Sequence, residues 1–199
     1  MLKRACGAIA AVLALGLGGP AGAVVATSIK IKSGKPGGDW LQIGELQVFA
    51  GGVNIALASG GATVSGSGYY GSAVPAYATD GVVSTNYPDI YHSDGAGPTE
   101  YLEVKFTGAF DISDIVIYGR GDCCSERNLF KYELYNFGRY GSVLVAEGAL
   151  DARGPSHSAR AALPHAPVAA VPEPGAWALM IMGFGAAGAV VRRRRAARA

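Results

Sequence analysis

Apolar and polar side chains alternate along most of the middle of this chain. In YLEVKF (101–106), Leu102, Val104 and Phe106 point one way and Glu103 and Lys105 the other, the period-two pattern of a half-buried strand. The same pattern recurs in Ser28–Lys32 (SIKIK), Leu41–Phe49 (LQIGELQVF), Ile112–Tyr118, Phe130–Phe137 and Ser142–Ala146. Gly, Asn, Asp and Ser clusters separate these runs, as turns require. No segment of the body carries a helical period, so the reading is all-β: an antiparallel, jelly-roll-like sandwich with long glycine-rich loops at its ends. From about Ala152 the pattern weakens into an Ala/Pro-rich stretch. There, part of Ser156–Leu163 is a candidate last edge strand, reaching 166 at most, and the remainder up to 171 reads as a linker.

The two ends break the pattern differently. MLKRACGAIAAVLALGLGGPAGA opens with Lys3 and Arg4, continues as an Ala/Leu-rich run and closes on Ala21-Gly22-Ala23. That is the plan of a secretory signal peptide over 1–23, cut after Ala23. At the other end, VPEPGAWALMIMGFGAAGAVVRRRRAARA carries an apolar run from Ala176 to Val191 followed by Arg192–Arg195. The run is 16 residues long, close to the ~17 of the shortest spanning helices. The arginines would stay on the cytoplasmic side, leaving the sandwich outside.

Excluding both ends changes the charge. The whole chain has 17 basic and 15 acidic residues; without Lys3, Arg4, five tail arginines and Glu173 it has 10 and 14, a net charge of −4. The basic balance belongs to the ends, and nucleic acid is excluded as a partner. Cys6 leaves with the signal peptide, so the mature chain keeps only Cys123 and Cys124, in an oxidising space. Adjacent Cα atoms lie ~3.8 Å apart, below the ~4.4–6.8 Å usual for a disulfide, so a bond between them closes a ring of eight atoms and staples no long loop. What it supplies is local, a stiff and polarizable apolar knob between Arg120 and Arg127. The other reading is a pair of free or redox-active thiols.

Other short matches carry little. Gly66–Gly71 fits GxGxxG without the strand–helix context that motif needs. Arg120-Gly121-Asp122 is a three-residue string. Two neighbouring cysteines make a poor zinc site. The only histidine between the signal peptide and residue 152 is His92, and no Ser/His/Asp or Cys/His set is legible, so the chain reads as no enzyme.

Two resemblances give these features a direction. Pro172-Glu173-Pro174, the apolar run and the arginine block together resemble the PEP-CTERM sorting signal of Gram-negative bacteria, over 172–199. The resemblance implies an exosortase-type membrane protease as partner, transient anchoring in the inner membrane, then release to the cell surface or extracellular matrix. Arg120-x-Asp122-x₄-Arg127, with Cys-Cys directly after the aspartate and His92 upstream, resembles the F-type lectin (fucolectin) motif. That family has a discoidin or galactose-binding-like sandwich that binds L-fucose. Asn54–Leu57, Ala78–Gly81, Tyr91-His92-Ser93, YLEVKF and DISDIVIYGRGDCC follow the family's order over 24–151. His92 and Arg120 enclose 27 residues, one more than the family's usual spacing, and Thr99-Glu100 stands where the family has an aromatic pair.

The resemblance implies that His92, Arg120 and Arg127 hydrogen-bond the sugar, that Asp122 orients the arginines, and that bonded Cys123–Cys124 packs on the sugar ring. Tyr87 is the expected wall for the sugar's methyl group. A strand like LQIGELQVF normally closes this domain, whereas here it precedes the rest, as in a circular permutation. The family's calcium site would then fall on Glu45 and Asp80 with the carbonyls near Tyr77 and Val82, and Asp89 as a third carboxylate; calcium takes ~6–8 oxygen ligands. The expected function is non-catalytic binding of fucose or a related deoxysugar, on a glycan or exopolysaccharide. The alternatives are a structural matrix sandwich without a competent site, and a thiol–disulfide function at Cys123-Cys124. Secreted native protein should begin near Val24 and lack Arg192–Arg195. N-terminal sequencing and intact mass check this, and arginines retained on the surface-exposed form would refute it.

Overall fold

The computed structural model describes residues 22–164. The expected signal peptide up to residue 21, the linker from 165 and the sorting segment at 172–199, with its helix at 176–191, lie outside the described residues. Ten strands form two antiparallel sheets: β1 (Val25–Ser33), β2 (Asp39–Ala50), β3 (Val53–Asn54), β4 (Thr63–Gly66), β5 (Tyr91–Gly97), β6 (Leu102–Asp111), β7 (Asp114–Gly119), β8 (Leu129–Gly138), β9 (Gly141–Asp151) and β10 (Ser158–Ala162). One sheet runs β4-β6-β1-β8-β9; in the other, β10-β7-β2-β3 line up and β5 pairs with the first half of β2. No α-helix occurs among the described residues, where the only helical turns are short 3₁₀ segments.

The alternation read from the sequence is what holds the layers together. Ile29, Ile31, Leu102, Val104 and Phe130 project from the first sheet, and Leu46, Val48, Ile115 and Ile117 from the second; all are fully buried in one cluster. Each such side chain contributes ~1.5–3 kcal/mol by leaving water. Strand β10 pairs with β7 from Ser158↔Tyr118 to Ala162↔Asp114, so the sheet continues past residue 151 through Ala-rich sequence. Alanines suffice there because β10 is an edge strand and needs to cover only one neighbour.

Antiparallel pairing sorts the chain to two ends of the sandwich. Val25 lies opposite Asp111, Ala162 opposite Asp114, and Phe49 also opposite Asp114. The first and last strands therefore enter and leave at one end, beside the β2–β3 and β8–β9 turns. The opposite end holds the start of β2, the β7–β8 loop and the long loop from 67 to 90.

That loop is seated on a bulge in β2. The β2–β7 register shifts between Ile43 and Glu45, and a Cβ at Gly44 would lie 1.7 Å from the Ser84 carbonyl oxygen. No side chain fits, so Gly44→Ala should lift the 79–86 segment off the strand. A cost of at least ~1–3 kcal/mol is expected for this overpacking, read as a lowered melting temperature. An unchanged melting temperature would contradict this packing.

Candidate functional site

The side chains singled out in the sequence come together at the loop end of the sandwich. Arg120 follows β7 directly, and its backbone is pinned by the buried Asn128 side chain. Asn128 Oδ1 accepts from Arg120 N–H (3.1 Å) and its Nδ2 donates to Arg120 C=O (2.7 Å). One amide thus replaces a strand partner where the sheet ends, and Gly119 must lack a side chain because a Cβ there would lie 2.3 Å from that amide. The Arg120 guanidinium makes a two-pronged contact with Asp122, Nε–Oδ1 2.5 Å and Nη2–Oδ2 3.2 Å. It also lies over the Tyr87 ring at 5.3 Å. Arg120 holds the Asp122 carboxyl below the usual carboxylate range.

Cys123 and Cys124 are bonded to each other. Cys124 adopts a left-handed backbone (φ 57°), and its carbonyl accepts the Arg127 N–H at 2.9 Å. The cysteine turn thereby folds the chain back and presents Arg127. Arg127 is held by a carboxylate the sequence reading did not assign: its Nε lies 3.6 Å from Asp39 Oδ1, with Glu126 at 3.7 Å. Asp122 orients Arg120 alone. Asp39 in turn receives Lys35 Nζ at 2.7 Å. Its pKa lies below the ordinary value: burial pushes it up, and the Lys35 and Trp40 hydrogen bonds with the charges of Lys35 and Arg127 outweigh that.

His92 sits on β5, buried against Trp40 (5.4 Å between rings), Tyr70 (5.6 Å) and Tyr87 (6.3 Å, edge-on). Its Nδ1 is 2.7 Å from the Ser93 carbonyl and its Nε2 is 2.8 Å from Gln42 Nε2. A carbonyl only accepts, so Nδ1 carries the proton and Nε2 accepts from the Gln42 amide. Burial lowers the His92 pKa, the Ser93 carbonyl opposes this, and the charges of Arg120 and Arg127 lower it further. His92 is therefore neutral at pH 7, with both nitrogens engaged by the protein. The contacts close a circuit: His92, Tyr87, Arg120, Asp122, the cysteine turn, Arg127, Asp39, Trp40 and back to His92.

Beneath the same loop lies a second arrangement. Glu45, on the β2 bulge, is fully buried, and neither of its carboxylate oxygens has a hydrogen-bond partner. Burial first, then the negative charge of Asp80, pushes its pKa up to about 8; the Gly81 N–H offsets part of this without hydrogen-bond geometry. Glu45 and Asp80, 35 positions apart in sequence, are thus brought together. Tyr77, Asp80, Val82 and Asp89 line one pocket of ≈450 Å³ with Ser84 and Asn86. Asp80 Oδ1 accepts the Val82 N–H at 2.8 Å, which turns the loop. Among the described residues no three His, Cys, Asp or Glu side chains converge as a metal cluster, so a cation here would take most of its ligands from backbone carbonyls. The loop joins both arrangements, because Thr85 C=O accepts Gly121 N–H (2.6 Å) and Asp122 accepts Tyr87 N–H (3.4 Å).

Sequence reasoning missed Asp39, Trp40, Gln42 and Tyr70. The signal for three of them was their place directly before or within a recognised strand, at the end of it that reaches the loops. Comparison with curated proteins and with solved structures yields no match for this chain. Residues 170–195 match the PEP-CTERM protein-sorting motif, which implies recognition by an exosortase-type protease and export through a membrane-anchored step to the surface or extracellular space.

Proposed function

We propose that the exported sandwich is a non-catalytic carbohydrate-binding protein of the bacterial surface or exopolysaccharide matrix, resembling the F-type lectins, with fucose or a related deoxysugar as ligand. The observation that carries this is the closed circuit of side chains around His92, Arg120 and Arg127. Two guanidinium forks, Arg120 hydrogen-bonded to Asp122 and Arg127 in longer ion pairs with Asp39 and Glu126, offer directed donors to hydroxyl and ring oxygens. The bonded cysteine pair and the Trp40, Tyr70 and Tyr87 rings offer the apolar surface that a sugar's C–H face and methyl group require. His92 reaches a hydroxyl by giving up the Gln42 amide for it.

The second arrangement fits a divalent cation of the calcium type. Glu45 is a buried carboxylate with no partner, which a cation would neutralise, and Asp80 with nearby carbonyls supplies further hard oxygen donors. Such an ion would fix the 79–89 loop, and through it Tyr87 and the Thr85 contact to Gly121.

Two measurements test these readings. Calorimetry with L-fucose should detect binding by the wild type. Arg120→Ala or Arg127→Ala each removes charge-assisted hydrogen bonds worth ~1.5–3 kcal/mol, weakening binding about 10-fold or more. Arg→Lys should rescue poorly, and Cys123→Ser with Cys124→Ser should weaken binding while leaving the melting temperature nearly unchanged. Undetectable wild-type binding would reject fucose and favour a structural sandwich; binding unchanged by either arginine substitution would move the site elsewhere.

For the cation, the sign follows from Glu45. Its carboxyl holds a proton up to about 8 in the folded protein and releases it near 4.5 when unfolded. Between those values the folded state binds more protons, so in chelator the melting temperature should fall as pH rises through that window. Calcium favours the ionised form, so its stabilisation should grow with pH, and Glu45→Gln should remove both effects. Equal melting temperatures in calcium and chelator across the window would reject the site.

A further inference from the structure

Exposed apolar side chains are concentrated at the end of the sandwich opposite the loops. The β8–β9 hairpin carries Phe137, Tyr140, Val143, Leu144 and Val145, exposed at 40 to 94%. Val53, on the β2–β3 turn, and Val25, at the start of β1, are exposed at the same end. These are seven of the eleven exposed large hydrophobic residues among those described. This is also the end from which the chain leaves: Leu163 N–H donates to Ser113 C=O, beside the start of β7. Only residues 164–175 separate Leu163 from the apolar run that precedes the arginine block.

We propose that this apolar end, led by the β8–β9 hairpin, docks on the lipid surface of the membrane that holds the sorting segment, and so directs the loop end outward. The occupant follows from continuity with the anchoring segment and from the chemistry of the hairpin. Between Phe137 and Ala146 the only charge is Arg139, at the tip, where a guanidinium meets headgroup phosphates. Tyr140, 94% exposed, is the amphipathic ring type favoured at membrane interfaces. A groove of ≈490 Å³ beside Phe137, lined by Phe106 and by the oppositely charged Lys105 and Glu103 among others, adds apolar surface.

A second copy of the chain fits less well. Edge-to-edge pairing would use β9, but the β8–β9 register shifts where Leu134 and Tyr135 face Ala146 and Leu144. That leaves Val145 as a bulge in the middle of the exposed run, and a bulge interrupts the regular ladder that edge pairing needs. The proposal is independent of the sugar reading, since it rests on the opposite end of the fold.

The test uses the full chain, tail included, in vesicles of phosphatidylethanolamine and phosphatidylglycerol. Tyr140 is replaced by the photo-crosslinker p-benzoylphenylalanine, with the same replacement at Tyr69, exposed at the loop end, as control. After irradiation, intact mass should show phospholipid adducts from position 140 at severalfold the yield from position 69. Phe137→Ser and Leu144→Ser, added to the chain probed at position 140, should cut the adduct severalfold without moving the melting temperature. Equal yields at the two positions, chain-to-chain crosslinks in place of lipid adducts, or a yield unmoved by the serine variants would each overturn the proposal.

Discussion

Strand β2 has no room for a Cβ at Gly44, because the Ser84 carbonyl occupies that space. The organisation of the loop end depends on this contact. With the loop pressed onto the bulge, Asp80 falls against the adjacent Glu45, and three residues beyond Ser84 the same loop delivers Tyr87 beneath Arg120. β2 is an interior strand, so its bulge is fixed by ladders on both sides. A feature that would be soft at a sheet edge is therefore rigid here, and the loop inherits its position from the core.

The polar groups at this end are arranged to be held before any ligand arrives. Arg120 and Arg127 are each paired with a different carboxylate, so neither charge competes for the other's partner. His92 is kept neutral by burial and by those same charges, which spares the cluster a third repelling cation. Glu45 is the one carboxylate at this end with both oxygens buried and without a hydrogen bond, although Gln42 Oε1 and Thr79 Oγ1 are also buried without a partner. An unmet acceptor pair in the interior costs free energy, and the Gly81 N–H offsets only part of it. Such a cost is typical of a position that serves a ligand rather than the fold.

Strands with alternating large apolar residues were legible in the sequence: β1, β2 and β8 appear extended by one to three residues at each end, β6 runs on from the expected Phe106 to Asp111, and β7 begins at Asp114 instead of Ile112. Strand β5 was not legible as a strand, because Tyr91–Gly97 (YHSDGAG) has no alternation and is held by pairing with β2 rather than by its own pattern. β9 runs on to Asp151, beyond the expected Ala146, through Glu147-Gly148-Ala149. Gly148 is required because the Tyr132 ring fills the space of its Cβ, and a turn-like residue in the sequence therefore marks a close cross-strand contact. The arginines and the cysteine turn could be read from one local motif, and His92 from its place upstream of it. Asp39 could not be paired with Arg127, because nothing in spacing links the start of β2 to the loop after β7; only the register of β2 on β7 does.

That register also decides what each end of the molecule can do. In an antiparallel sandwich, the direction of the strand before a loop decides whether that loop joins the entry end or the far end. β1 and β10 run so that the first and last residues of the sheets share one end, while the β7–β8 and β5-preceding loops are sent to the other. The bulky polar and aromatic side chains that need solvent access collect where no chain terminus obstructs them. The exposed apolar side chains collect where the chain continues toward its sorting segment. A soluble domain with no surface to meet would gain nothing from placing Tyr140 and the Val143–Val145 run in water. On a chain whose export passes through a membrane-anchored step, the proposed docking would give the two ends opposite solvents, with strand direction deciding which end meets which.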